Sequence, residues 1–360
     1  MKAKARHFAD GPLPDAEDAS VRRRCYDEAV LGMDRSEEVM IMSSEGLSSS
    51  DAERLRAFER QGHDALAKSY HEFFAAVTTL ATEPLLDAVH LHPGTNLLDV
   101  ASGPGALAAE AANRGVRAVG VDLSPRMVEL ARQLHPAIEY READVEHLPF
   151  LDHMFDAVVC AFGLGHFPQP ELAVAECVRT LAPGGRIAFA WWDDPARQRI
   201  QGVFREAIAE IGVTVPKDVP QGHNVFRFSN SGEFLRLLNG AGLTAVAVTE
   251  HTASFFVPDT ETLWRGGLGS LVLTGAVIKH QDQATQDLIR TAFERCAKVY
   301  KSAHGLTLPI AFKIGSGQRR LDGCSSERSA MDQNAKNSDR VNLVRSAAMS
   351  GPSPDDAQLR

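Results

Sequence analysis

The sequence lacks a membrane-length apolar run, a cysteine framework and a basic stripe, and each absence removes a class of function. Its most apolar late stretch, Leu268 to Ile278, is broken by glycines and falls short of the roughly 20 residues a spanning helix needs. The five cysteines, at 25, 160, 177, 296 and 324, form no C-x-x-C pair. Neither a disulfide scaffold nor a zinc knuckle is expected, and a reducing, cytoplasmic setting is the simpler reading. Lys and Arg number 38 against 47 Asp and Glu, a net charge of -9. Such a balance repels phosphate backbones, so a nucleic-acid partner is not expected. The first residues lack a secretory apolar core, and the early Lys2, Lys4 and Arg6 are soon answered by Asp10, Asp15, Glu17 and Asp18.

What is present is ordinary globular composition, 44% hydrophobic and 24% charged. Residues 1–50 are polar and Ser-rich, residues 321–360 are polar and close on Gly-Pro-Ser-Pro-Asp-Asp, and both are read as disordered extensions. The domain is expected at 51–320. Within it, 51–90 shows helical spacing through Leu55, Phe58, Leu66, Tyr70, Phe73 and Phe74. Short buried-strand runs then alternate with helices: Asn96 to Val100, Val116 to Val121, Ile138 to Arg141, Ala157 to Phe162 and Arg186 to Trp192. Further helices are expected at 197–211, 229–241 and within 259–303, with strands at 243–257 and 308–314. Alternation of this kind predicts a doubly wound α/β sheet, mostly parallel and covered on both faces, with its ligand beyond the carboxyl ends of the strands.

The sharpest motif is Leu97-Leu-Asp-Val-Ala-Ser-Gly-Pro-Gly-Ala106. Gly103 and Gly105 let the backbone approach a ligand, and the helix that follows aims its N–H groups there. Gly103, Gly105 and Ala108 also fit the dinucleotide spacing G-x-G-x-x-A. Asp122, ending the second strand, can accept both ribose hydroxyls or simply cap the turn before Ser124. This much points to an adenosine ligand and leaves NAD and S-adenosylmethionine both open. Asp144, after the third strand, can accept an exocyclic amine.

Five stretches in order then resemble the class I S-adenosylmethionine-dependent methyltransferases, and especially the ubiquinone and menaquinone biosynthesis group: LLDVASGPG, VGVDLSPRMVELAR, EADVEHLPF, FDAVVCAFGLGHF and LAPGGRIAF, over about 94–190. The resemblance implies a Rossmann-like sheet of seven strands, the last antiparallel. It implies a cofactor core at 94–192, helical lid and substrate-side elements at 51–90 and 195–305, and S-adenosylmethionine as cofactor. Asp99 and the Ala101, Gly103 and Gly105 backbone would hold the methionine part. Asp122 would take the ribose, Leu123 and Met127 would flank the adenine, Asp144 would bond its amine and the Val145 amide a ring nitrogen. Phe162 would border the methionine arm. The acceptor is expected to be a small molecule methylated on oxygen, nitrogen or carbon. His166 is a candidate general base, and Tyr70 on the amino-terminal helix a second candidate beside the chemistry. Asp193-Asp194 has no complementary carboxylate pair after the fourth strand, so no metal is expected. A binder that uses the cofactor for another reaction, and an NAD-dependent oxidoreductase, are the competing readings.

Overall fold

The computed structural model describes residues 47–220 and 222–321. By its contacts the chain divides into Met1–Arg319 and Arg320–Arg360, and the fold below is that of the first unit. The two expected extensions lie outside the described residues, apart from Leu47 to Ser50 and Leu321. The amino-terminal boundary comes earlier than the sequence reading: helix α1 spans Ser49–Ser69, and Ser48 caps it by accepting the Asp51 N–H at 3.2 Å.

The sheet forms from β1 (Asn96–Val100), β2 (Arg117–Asp122), β3 (Glu139–Glu142), β4 (Phe155–Ala161), β5 (Leu181–Trp192), β6 (Thr244–Val257), β7 (Lys301–Ser302) and β8 (Gly305–Gln318). Its order is β3-β2-β1-β4-β5-β8-β6. Strands β1 to β5 pair in parallel, while β8 runs antiparallel to both β5 and β6. The expected fold is therefore present, with one addition: the two-residue β7 turns back on β8 as a hairpin. A run of two exposed residues carries no periodicity to read. Strand β5 begins earlier than the expected Arg186, at Leu181, and its register to β4 jumps from Phe155↔Leu181 to Ala157↔Arg186.

Helices α2 (Thr82–Ala88), α3 (Ala106–Asn113), α4 (Pro125–Leu134) and α5 (Pro170–Thr180) cover the parallel strands. The start of α4 follows from its sequence: Ser124 Oγ accepts the Met127 N–H at 3.1 Å, and Pro125 occupies the first turn. Beyond β5 come α6 (Arg199–Ile211), α7 (Ser231–Gly240), α8 (Thr260–Leu268), α9 (Val272–Lys279) and α10 (Gln283–Lys298). The strand order reverses between β1 and β4, which opens a crevice at the carboxyl ends of those strands. Among the described residues no helix is long and apolar enough to cross a membrane.

Candidate active site

The loop between β1 and α3 departs from ordinary backbone three times in five residues. Ala101, Gly103 and Gly105 have φ of 53°, 51° and 85°. Gly105 could carry no side chain, since a Cβ there would meet Tyr140 Oη at 2.3 Å. Around Gly103 the reverse holds: an added Cβ meets no protein atom within 4 Å, because the space in front is cavity. Two bonds hold the loop open, Ser102 N–H to the Val121 carbonyl at 2.9 Å and Gly103 N–H to Asp122 Oδ2 at 2.8 Å. Asp122 also accepts the Ser124 N–H at 2.9 Å. The carboxylate thus caps its turn and props the glycine loop, and each oxygen keeps a lone pair for a ligand. Burial pushes its pKa up, with Asp64 adding to the rise and the two amides opposing it.

One cavity of about 1420 Å³, open to solvent, joins this loop to the aromatic ends of β4 and β5. Its wall includes Ala101, Gly103, Asp122, Leu123, Met127, Asp144, Val145, Phe162, His166 and Tyr70. Asp99 stands apart from them in an adjoining recess that shares Tyr70, Ala101 and Gly103. Gly105 lies behind the loop against Tyr140.

Asp99 is 1% exposed, and neither carboxylate oxygen has a hydrogen-bond partner. Burial raises its pKa to about 8; the facing Ala108 amide lowers it without reaching bonding geometry. A buried carboxylate left like this is costly unless a cation or donor arrives.

Asp144 is met from a direction the sequence did not reveal. Its Oδ1 accepts the Glu146 N–H at 2.9 Å, while Oδ2 lies 2.6 Å from Arg56 Nε on α1, an ion pair whose N–H is not aimed along the contact. The oxygens expected to bond an adenine amine therefore already have protein neighbours. Arg56 also reaches Glu146 Oε2 at 2.5 Å, and Arg60 pairs with Glu142. Asp64 accepts from Ser124 Oγ at 2.5 Å and from the Arg126 N–H at 3.2 Å. So α1 is strapped across the ends of β2 and β3. Tyr70 follows it in a π-helical turn, Tyr70–Phe74, with its phenol pushed up to about 12 by burial.

His166 sits in a short turn, Leu164–His166, pressed on Trp191: a Cβ at Gly165 would lie 2.0 Å from that ring. His166 Nδ1 is 3.1 Å from Glu59 Oε2. Burial alone would lower the imidazole's pKa, but the Glu59 charge and hydrogen bond raise it overall. Burial would raise Glu59, yet His166 and then His63 hold it below the ordinary value. The end of the cavity beside β4 and β5 is aromatic. Phe162, with φ of 62°, stacks on Trp192 at 3.7 Å and 16°, and Trp191 and Phe226 extend the wall.

Residues 98–189 match the family model of the methyltransferase domain. They form a class I methyltransferase domain. A demethylmenaquinone methyltransferase of Deinococcus radiodurans is 41% identical over 120 residues, 32% of this chain and 50% of its own length. The enzyme of the same name from Renibacterium salmoninarum is 35% identical over 122 residues, 34% of this chain and 52% of its own. A ubiquinone/menaquinone biosynthesis C-methyltransferase of Agrobacterium fabrum is 28% identical over 207 residues, 53% and 78% of the two chains. The chain thus spans about half the length of the first two relatives.

The family's cofactor, S-adenosylmethionine, fits what the methyltransferase domain presents. The orphaned Asp99 carboxylate suits an ammonium group. The open face of Gly103 suits close approach of a ligand, and Asp122 has lone pairs left for hydroxyls. The sequence reading missed Arg56, Glu59 and His63. Their signal was a polar stripe, Arg56, Glu59, Arg60 and His63, at helical spacing on one face of α1. It was hidden because the apolar positions of the same helix already account for its periodicity. Asp193 faces Arg197 and Lys313 at 2.5 and 3.8 Å, and Asp194 receives the Ala196 N–H.

Proposed function

We propose that this chain transfers a methyl group from S-adenosylmethionine to a small-molecule acceptor. The observation that carries the reading is Asp99, a buried carboxylate without a partner beside a left-handed glycine loop, where a cationic amino-acid end would sit. When bound, the cofactor supplies a methyl group already activated by a sulfonium. What the chain adds is alignment. Asp122 and the Gly103 backbone fix the nucleoside, and the Phe162–Trp192 stack walls the methionine arm and keeps water from the reacting centre. His166, oriented by Glu59, stands at the acceptor end to take a proton.

The aromatic wall suits an apolar ring on the acceptor, in keeping with the demethylmenaquinone methyltransferases to which the chain is similar. The acidic charge balance supports a metabolite over a nucleic acid, and a cytoplasmic setting goes with the buried, unbridged Cys160 and Cys177.

Calorimetric titration of the full chain with S-adenosylmethionine, S-adenosylhomocysteine and NAD tests the reading. Binding of the first two and not of NAD is expected, with methyl transfer from labelled cofactor in an acceptor screen. Binding of NAD alone would sink the proposal. Asp122→Ala should weaken cofactor binding by about 1–3 kcal/mol, since it loses charge-assisted bonds and the prop under Gly103. Unchanged affinity would remove Asp122 from the site.

A further inference from the structure

Alignment alone does not account for the composition of the cavity wall beside the acceptor end, where two imidazoles and a carboxylate converge. Glu59 and His63 stand one turn apart on α1; His166 comes from the turn after β4, 107 residues along the chain from Glu59. One ligand atom from each of the three lies within 4.8 Å of the others. Glu59 Oε2 and His166 Nδ1 are 3.1 Å apart. Ligand atoms about 2.0–2.1 Å from a tetrahedral zinc stand about 3.3 Å from one another, so this pair already has the spacing of a coordination edge.

His63 shows what the cluster is built for. Its Nδ1 lies 2.9 Å from the Glu59 main-chain oxygen and 3.5 Å from the Glu59 carboxylate. A carbonyl oxygen can only accept, so Nδ1 is the donor there and Nε2 is the nitrogen left to ligate. A ligating histidine is oriented in this way, with its second nitrogen donating to a carbonyl. A hydrogen-bonded pair of Glu59 and His166 would need no second imidazole. The arginines on the same face of α1 are turned elsewhere, Arg56 to Asp144 and Glu146 and Arg60 to Glu142. Glu59, His63 and His166 all line the cavity, so a fourth coordination position would open toward bound acceptor.

We propose that Glu59, His63 and His166 bind a divalent, zinc-type ion, and that the methyl acceptor is a hydroxyl or thiol that becomes its fourth ligand. Two histidines and one glutamate with an open position make a catalytic zinc set, and methyl transfer calls for no redox-active metal. The acceptor's O–H or S–H breaks as it ligates, and the proton leaves to solvent. A lone pair of the bound oxygen or sulfur then attacks the methyl carbon. The carbon–sulfonium bond breaks with its electron pair going to sulfur, and the neutral methylated product leaves the ion. With the ion in place His166 is a ligand, and the proton is lost at the metal rather than to the imidazole. The acceptor half of this proposal rests on the methyltransferase reading; the ion site does not.

The test uses the full chain, stripped with a chelator and titrated with Co²⁺ alone, then with Zn²⁺. One equivalent of Co²⁺ should give the visible bands of a four- or five-coordinate ion, and Zn²⁺ should displace it. His63→Ala and His166→Ala should each weaken binding at least about tenfold. The His63→Ala chain should keep its S-adenosylmethionine affinity, which shows that it is folded. Adding 2-mercaptoethanol to the cobalt form should produce a sulfur-to-metal charge-transfer band. Cobalt binding that is absent, or unchanged in either variant, overturns the ion site. A cobalt spectrum blind to the thiol overturns the open position. Wild-type chain that binds Co²⁺ but no S-adenosylmethionine would instead overturn the methyltransferase reading.

Discussion

Asp99 illustrates how one side chain can be read both as a fault and as a function. Its folded pKa of about 8 lies above the ordinary 3.8, so between those values the folded chain keeps a proton that the unfolded chain has lost. Stability must then fall as pH rises through that window and level off above it, by at most about 1.4 kcal/mol for each unit of difference. Asp99→Asn, a neutral isostere, should abolish this slope. Thermal melts from about pH 5 to about pH 9 should show the variant at least as stable as wild type at the alkaline end. The same variant should bind S-adenosylmethionine more weakly, because the ammonium loses its counter-charge. A variant that melts lower at every pH and binds normally would make Asp99 a packing residue only. The importance of Asp99 was legible from its motif. Its isolation was not, because a missing partner is a property of the surroundings.

Helix α1 is tied to the sheet by straps to Asp144, Glu146, Glu142 and Ser124. Arg56→Ala should loosen it. Glu146, with a side chain 0% exposed, would keep the Gln169 amide at 2.6 Å but lose its cation. The cost should be about 1–3 kcal/mol, below the full figure for breaking a buried pair because Arg56 is itself partly exposed. Hydrogen exchange should quicken across Ser49–Ser69 before it quickens in β1. Uniform quickening would mean that α1 is no separate unit. Elsewhere, α8 tolerates glycine in its interior because rings occupy the space. A Cβ at Gly267 would lie 2.2 Å from the Phe204 ring, whereas at Gly240 in α7 it would meet nothing within 4 Å. Gly267→Ala should therefore cost about 1–3 kcal/mol, and Gly240→Ala should be neutral or stabilising by up to about 1 kcal/mol, as read from urea midpoints. The glycines were visible in the sequence; which of them faced a ring was not.

At the scale of the molecule, the sequence carried the sheet well. Strands β1 and β4 are short, largely apolar runs, and α4 has its own start signal in Ser124-Pro125. What stayed hidden depends on chain segments far apart in sequence: Arg56 meets Glu146 across 90 residues and Glu59 meets His166 across 107. Local patterns specify elements, whereas such meetings are decided by how elements dock.

The docking also has an optical consequence. The chain has three tryptophans. Trp191 and Trp192 line the cavity, and Trp264 is buried against Phe204 and Phe293. Two of the three intrinsic fluorophores thus stand where a ligand would lie, with Trp192 in van der Waals contact with Phe162. Occupancy of the pocket should quench or shift their emission, while the third holds steady as an internal reference. Trp191→Phe should remove part of that response. The molecule therefore contains an unlabelled reporter of its own filling, and acceptors can be ranked by light before any product is found.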